Sequence, residues 1–414
     1  MSKGVTLKDD GTRQWSLFDG ANPLKVTKPL RLIELFAGIG AQAKALENLG
    51  VKFEHYRICE FDKYAVASYN AVHGTDFTTS DITKIHAADL GIVETDKYEY
   101  IMTYSFPCTD LSKAGKQQGM SRESGTRSGL LWEVERLLKE AEELPQILLM
   151  ENVPDVISEK NSADFFAWCR FLEDLGYTNK YAILNAKDFG VPQNRERCFM
   201  LSWLGDFHYD FPGKKPLAFS LKDFLERLVD EKYYLSQKAI KGFYKHTQES
   251  IEKGNGFRFE PTNGKGIGKA ILPKSGSRPC DNYLALDEQN GYIRKDGIVG
   301  TLTTDGSSPK HNNRIVEKVR ILQYGHGYLP AGEIYGDLYP TIRLSNTARY
   351  NNGIQWGDDT RVRKLTPKEC WRLMGFDDES FFRAEKKVSN SQLYKQAGNS
   401  IVVDVLMAIF KNLF

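Results

Sequence analysis

Between residues 30 and 205, short strand-like runs alternate with stretches of helical periodicity, and this alternation limits the open folds more than any other feature. Residues 30–36, 98–104 and 146–150 are near-continuous apolar runs of strand length, the signature of strands buried on both faces of a parallel sheet. Residues 53–59, 181–184 and 198–203 are also strand-like. Residues 41–49, 62–72, 130–143 and 165–175 carry apolar residues at helical spacing. Asp62 is placed to cap the second of these helices, and Gly176 to stop the fourth. Strands and helices alternating at these lengths specify an α/β fold: a doubly wound, mostly parallel, Rossmann-like sheet.

A chain of 414 residues implies two or three domains. Residues 1–28 are polar and irregular and read as an N-terminal tail, followed by a first domain over 29–212. From 213 to 360 the chain is richer in Gly, Asn, Thr, Ser, Lys and Tyr and loses its periodicity, which reads as a second, smaller, irregular domain. In 361–414 helical signals return. Thr366 is a cap, Pro367 a first helical residue and Glu369 the partner in a capping box, and a last helix spans 401–413. A net charge of +2 gives no global attraction to nucleic acid, so any basic surface must be local. The six cysteines (59, 108, 169, 198, 280 and 370) have neither CxxC pairs nor metal spacing, so reduced thiols and no metal are expected. With no signal-like apolar core near the start and no apolar run of about 18 residues, a soluble cytoplasmic protein without a membrane partner is expected.

The richest chemistry follows the strand at 98–104. Ser105-Phe106-Pro107-Cys108-Thr109-Asp110-Leu111-Ser112 sets a thiol at the carboxyl edge of the sheet, where open α/β sheets hold ligands. The polar stretch 113–129 suits a mobile lid. A thiol beneath a lid suggests a covalent nucleophile, although a lone cysteine is more often structural. Glu151 ends the next strand on the same rim, where a buried carboxyl can hold a raised pKa. Arg195 and Arg197 fall on one face of an extended segment, and a surface ion pair is their plain alternative. At the other end, Glu34-Leu35-Phe36-Ala37-Gly38-Ile39-Gly40 joins the first strand to its helix, and Glu60 follows the second strand, where an acid can bind ribose hydroxyls. Glu60 alone equally fits a solvated strand-end carboxylate. Asp81-Ile82 is placed to meet an adenine. The lack of a phosphate loop favours adenosine without a phosphate chain, and so S-adenosylmethionine.

Taken in order, these blocks, with Gln193-Asn194-Arg195-Glu196-Arg197 and Gly398-Asn399-Ser400, resemble those of the bacterial-type DNA (cytosine-5) methyltransferases. The resemblance covers about residues 30–205 and 362–412. It implies a class I methyltransferase domain whose nucleophile is Cys108, assisted by Glu151, Arg195 and Arg197. It implies an S-adenosylmethionine pocket lined by Phe36, Gly38, Gly40, Glu60, Asp81, Ile82, Pro107, Asn399 and Ser400. It also makes 213–360 a target-recognition domain and 361–414 the segment that completes the catalytic domain. The implied partner is double-stranded DNA, bound by a protein expected to be a monomer, in restriction-modification or as a phage-borne or solitary enzyme.

Contacts to DNA are expected from Ser112, Lys113, Lys116 and Gln117 on the lid and from Thr301 and Arg314 in the recognition segment. Two elements there resemble the family's Thr-Leu motif, at 297–304 and 338–343. The first is favoured because a Gly/Ser/Lys/Asn loop follows it. The chief alternative is an RNA (tRNA) cytosine-5 methyltransferase, against which the long variable segment argues.

Overall fold

The computed structural model describes residues 22–107, 127–254, 258–287 and 360–414, with two further short strand pairs, Thr6–Leu7 with Arg13–Gln14 and Val319–Arg320 with Glu333–Ile334. The chain forms two compact units. One comprises Met1–Phe224, Gly266–Ser275 and Pro367–Phe414, the other Leu225–Lys265 and Gly276–Thr366. The division differs from the expected one. The change in composition near 213 precedes the structural boundary at Phe224, residues 266–275 return to the first unit, and residues up to Thr366 stay in the second, where Thr360–Lys364 form a strand.

The first unit is built on strands β1 (Leu30–Leu35), β2 (Phe53–Cys59), β3 (Glu99–Tyr104), β4 (Ile147–Asn152), β5 (Tyr177–Asn185) and β6 (Glu196–Leu204), in the order β2-β1-β3-β4-β6-β5. The pairs β1–β2, β1–β3 and β3–β4 are parallel, whereas β6 runs antiparallel to both β4 and β5. The sheet is therefore mostly parallel with one reversed strand. Its neighbours leave β1 in opposite directions, which makes the carboxyl end of β1 a topological switch point and a natural ligand site.

Helices α1 (Ala41–Asn48), α2 (Lys63–His73), α3 (Leu131–Glu140) and α4 (Ser162–Asp174) connect these strands. Side chains alternate along a strand, so Ile33 and Leu35 enter one core while Leu32 and Glu34 face the other side. Ile33, Tyr104 and Met150 pack with Leu131, Val134 and Leu137 of α3 and Phe165 and Trp168 of α4. Glu34 instead meets α1 and α2, accepting from the Ala43 amide and the Tyr69 hydroxyl. Asp62 caps α2 by accepting from the Tyr64 amide at 2.9 Å.

The chain end, which follows helix α5 (Gln237–Glu252) of the other unit, closes this unit with α6 (Pro367–Arg372), α7 (Asp378–Glu385), α8 (Asn390–Asn399) and α9 (Val403–Lys411). Gln396 of α8 bonds the Tyr64 carbonyl and the Ser68 hydroxyl of α2. The Tyr209 hydroxyl donates to the Ile409 carbonyl. In the second unit, α5 (Gln237–Glu252) lies over the antiparallel pair β7 (Tyr283–Asp287) and β8 (Thr360–Lys364), around Ile240, Phe259, Tyr283 and Val362. No described helix is long and apolar enough to cross a membrane.

Candidate cofactor pocket and catalytic edge

The turn after β1 is forced into an unusual backbone. Phe36, Gly38 and Gly40 all take positive φ, at 58°, 57° and 75°. For Phe36 that conformation carries a steric cost, which ligand sites commonly hold. The Phe36 amide donates to the Cys59 carbonyl at 2.7 Å, so the turn folds over the end of β2. A Cβ on Gly40 would lie 2.3 Å from the His73 imidazole, whereas a Cβ on Gly38 would meet nothing within 4 Å. Gly38 thus borders open space on the ligand side of the turn.

Glu60 sits at the mouth of that space. Its carboxylate accepts from the Gly38 amide at 2.9 Å and the Asp62 amide at 2.8 Å. Burial raises its pKa, and those two amides oppose the rise. Phe61, missing from the sequence-based set, is 77% exposed beside it. Its signal was the Glu60-Phe61-Asp62 order directly after a strand. The Ser80 amide donates to the Glu60 carbonyl at 2.9 Å and brings Asp81 alongside. Asp81 accepts from the Thr83 hydroxyl and amide, which hold its carboxyl below the ordinary range. The Ile82 side chain is buried in the core, and its carbonyl accepts from Arg136. At the same rim, Lys395 of α8 pairs with Asp62 at 2.6 Å, which returns Asn399 and Ser400 to this end of the sheet. Asn399 is exposed and Ser400 buried.

The candidate catalytic edge lies at the ends of β3 and β4. Buried Asn152 donates to the Phe106 carbonyl at 3.0 Å, and its own side-chain oxygen accepts from the Val153 amide. Asn152 thereby ties the segment entering Pro107 to the end of β4, a positioning role that a strand-end amide discloses only in three dimensions. Glu151 is 8% exposed, and the Arg197 Nε lies 3.1 Å from its Oε1. Burial raises the Glu151 pKa, while Arg197 and then Arg195 pull it back. The edge therefore combines a buried carboxyl, its pKa above the ordinary value, with a guanidinium.

The two arginines do not share a face of one extended strand, as the spacing suggested. The chain breaks between the short strand Gln193–Asn194 and β6, and the Arg195 amide turns back to the Gln193 carbonyl and the Asn185 side chain. The Arg195 guanidinium, buried to 4% exposure, donates to the carbonyls of Ile271, Gly398 and Ser400 at 2.8–2.9 Å. It clasps the return segment 266–275 to the chain end, while Arg197 pairs with Glu151.

Cys108, Ser112, Lys113, Lys116, Gln117, Thr301 and Arg314, with both Thr-Leu elements, lie outside the described residues. Cys59, Cys169, Cys198 and Cys370 are buried. Burial pushes the Cys59 and Cys169 thiols up to about 11 and about 12, which makes them poor thiolates.

The family described as C-5 cytosine-specific DNA methylase matches residues 30–414. The chain is 32% identical to the type II methyltransferase M2.ScrFI of Lactococcus lactis subsp. cremoris, over 93% of this chain and 99% of that protein. It is 35% identical to the orphan methyltransferase M.SssI of Spiroplasma monobiae, over 92% of this chain and 97% of that protein. The solved structure of the Entamoeba histolytica methyltransferase EhMeth shares the fold at a TM-score of 0.62 and 17% identity, covering 94% of this chain and 98% of that one. The chain thus belongs to the C-5 cytosine-specific DNA methylase family and is a DNA (cytosine-5) methyltransferase.

Proposed function

We propose that the protein methylates C5 of cytosine within a short specific sequence of double-stranded DNA, with Cys108 as the transient covalent nucleophile. The observation that carries this assignment is the buried Glu151–Arg197 pair, 3.1 Å apart, on the strand end that Asn152 ties to the segment running into Cys108.

S-adenosylmethionine, the methyl donor implied by membership of this family, supplies an electrophilic sulfonium methyl when bound. The open face of Gly38, the amide-bound carboxylate of Glu60 and the bare ring of Phe61 fit an adenosine: a carboxylate for ribose hydroxyls and a flat apolar surface for a base. Phe36, Gly40, Asp81, Ile82, Pro107, Asn399 and Ser400 complete the proposed pocket.

Cytosine C5 is a weak nucleophile. Adding the Cys108 thiolate to C6 moves ring electrons toward C5 and N3. Glu151, with its raised pKa, donates a proton to N3 and neutralises that charge. Arg197 keeps the carboxyl in place and meets the cytosine O2. After methyl transfer a base removes the C5 proton, the Cys108 sulfur leaves C6 with its bonding pair as the C5–C6 double bond reforms, and N3 returns its proton to Glu151. A stacked base cannot reach these groups, so the cytosine is flipped out, at a cost of about a few kcal/mol. Ser112, Lys113, Lys116, Gln117, Thr301 and Arg314 are proposed to offset that cost through DNA contacts. Arg195 positions the chain end and does not touch the base.

The matching family is described as acting on DNA, which favours DNA over the RNA alternative. We place the protein in the bacterial cytoplasm as a monomer, in a restriction-modification, phage or solitary setting. Bisulfite sequencing of DNA from cells expressing the protein tests the proposal. Protection of cytosines within one recurring short sequence is expected. Unmarked DNA in cells holding abundant folded protein would overturn it.

A further inference from the structure

Three ligand-type side chains from three elements converge beneath the turn 36–40, and methyl transfer uses none of them. Glu47 lies at the end of α1, His55 inside β2 and His73 at the end of α2. His73 Nδ1 lies 2.6 Å and His55 Nε2 3.6 Å from Glu47 Oε1. One ligand atom from each residue falls within 4.8 Å of the others.

The remaining ring nitrogens fix which atoms can act as ligands. His73 Nε2 is 3.1 Å from the Ile39 carbonyl, which can only accept, so Nε2 carries the hydrogen. A neutral His73 then has its lone pair on Nδ1, facing Glu47. The Tyr69 hydroxyl donates to Glu34 at 2.6 Å, so its oxygen accepts from His55 Nδ1 at 3.1 Å, and the His55 lone pair falls on Nε2. Each histidine thus gives its outer N–H to an oxygen and turns its other nitrogen toward one point, the arrangement that orients imidazoles around metals.

We propose that Glu47, His55 and His73 form a binding site for a divalent transition metal of the zinc class. The ligands are Glu47 Oε1, His55 Nε2 and His73 Nδ1, and solvent takes the fourth position. Two imidazoles and a carboxylate suit zinc better than magnesium or calcium, which favour all-oxygen shells. The His73 side chain is fully buried, while those of His55 and Glu47 remain 20% and 30% exposed and leave an entry side. Ligands at about 2.0–2.2 Å around a tetrahedral ion sit about 3.3 Å apart, so the 2.6 Å contact opens by less than about 1 Å. Lys44 Nζ lies 3.8 Å from the other Glu47 oxygen, but Asp377 holds that ammonium at 2.6 Å. Metal-free, His73 Nδ1 and Glu47 Oε1 remain in direct hydrogen-bond contact. The ligand positions 47, 55 and 73 fit no recurrent metal-binding spacing, since the fold and not the sequence brings them together.

The test uses the full-length chain stripped with chelator and titrated with Co2+, then with Zn2+. One Co2+ per chain is expected, with the visible absorption of a tetrahedral nitrogen and oxygen shell, displaced by Zn2+. His55→Ala and Glu47→Gln, checked for wild-type metal-free melting, should each weaken binding by at least about ten-fold. Tyr69→Phe, which removes the group that orients His55, should weaken it by about 10–100-fold. Failure to take up either ion, uptake unchanged in His55→Ala and Glu47→Gln, or a sulfur-to-cobalt charge-transfer band would each overturn the proposal. None of these readouts depends on methyl transfer.

Discussion

Replacing Arg195 with methionine should unfold the catalytic unit more easily, not merely slow it. Its guanidinium reaches Ile271 on the return segment and Gly398 and Ser400 after α8, all through buried hydrogen bonds. A hydrogen bond from a charged donor contributes about 1.5–3 kcal/mol, and each carbonyl left buried without a partner costs about as much again in desolvation. The three bonds share one side chain and do not add, so a total of about 4 kcal/mol is expected. For a unit of this size each kcal/mol moves the melting temperature by about 2–4 °C, so Arg195→Met should melt about 8–16 °C lower. Arg195→Lys, with one ammonium for three carbonyls, should fall between. Thermal unfolding by circular dichroism reads the shift, with Arg197→Met as the control. That control should melt closer to wild type and lose turnover, because the Arg197 side chain keeps 19% exposure and makes a single ion pair at the site edge. An Arg195→Met protein that melted like wild type and lost only turnover would refute the clasp and return Arg195 to direct contact with substrate.

Two other perturbations probe the same unit. Burial raises the Glu34 carboxyl from 4.5 to about 7, with the Tyr69 hydrogen bond offsetting part of the rise. The folded chain therefore keeps a proton that the unfolded chain loses, and stability falls as pH climbs from about 4.5 to about 7, by about 3 kcal/mol at most. Glu34→Gln should remove that fall, so urea midpoints at pH 5 and pH 8 should draw together relative to wild type. An unchanged pH dependence would show that Glu34 ionises normally. Gly398→Ala would place a Cβ 2.2 Å from the Pro273 nitrogen and 2.3 Å from the Leu272 carbonyl carbon. Both are main-chain atoms, so the return segment must shift, at a cost of about 2 kcal/mol or more. Unaltered melting of this variant would mean the two segments are not in contact.

Much of the scaffold was legible because local rules and the tertiary result agree. The apolar runs at 30–36 and 98–104 became β1 and β3, and Asp62 caps α2 as its position after β2 implied. The reversal of β6 was not legible, since a run such as 198–203 is equally apolar in either direction and only pairing with β4 and β5 sets its sense. The same limit separated Arg195 from Arg197. Period-two spacing puts them on one face only if the strand continues, and it breaks at Arg195 because the Asn185 side chain takes that amide. The return of 266–275 rests on contacts such as the Gln193 side chain with the Ile271 amide, 78 positions apart, which no local pattern encodes. Of the site, the blocks at 36–40, 60–62 and 151–152 were readable as motifs. The exposed ring of Phe61 and the Asn152 tie needed burial and distance to appear.

The central claim concerns the sulfur of Cys108. DNA carrying 5-fluorocytosine at the target position blocks release of the C6 adduct, because fluorine at C5 cannot be removed as a proton. Digestion and mass spectrometry of the arrested complex then locate the linkage. We expect the modified base on the peptide containing Cys108, and no adduct from Cys108→Ser protein that still binds S-adenosylmethionine. An adduct mapped to Cys280, to any other side chain, or retained in Cys108→Ser would contradict the mechanism.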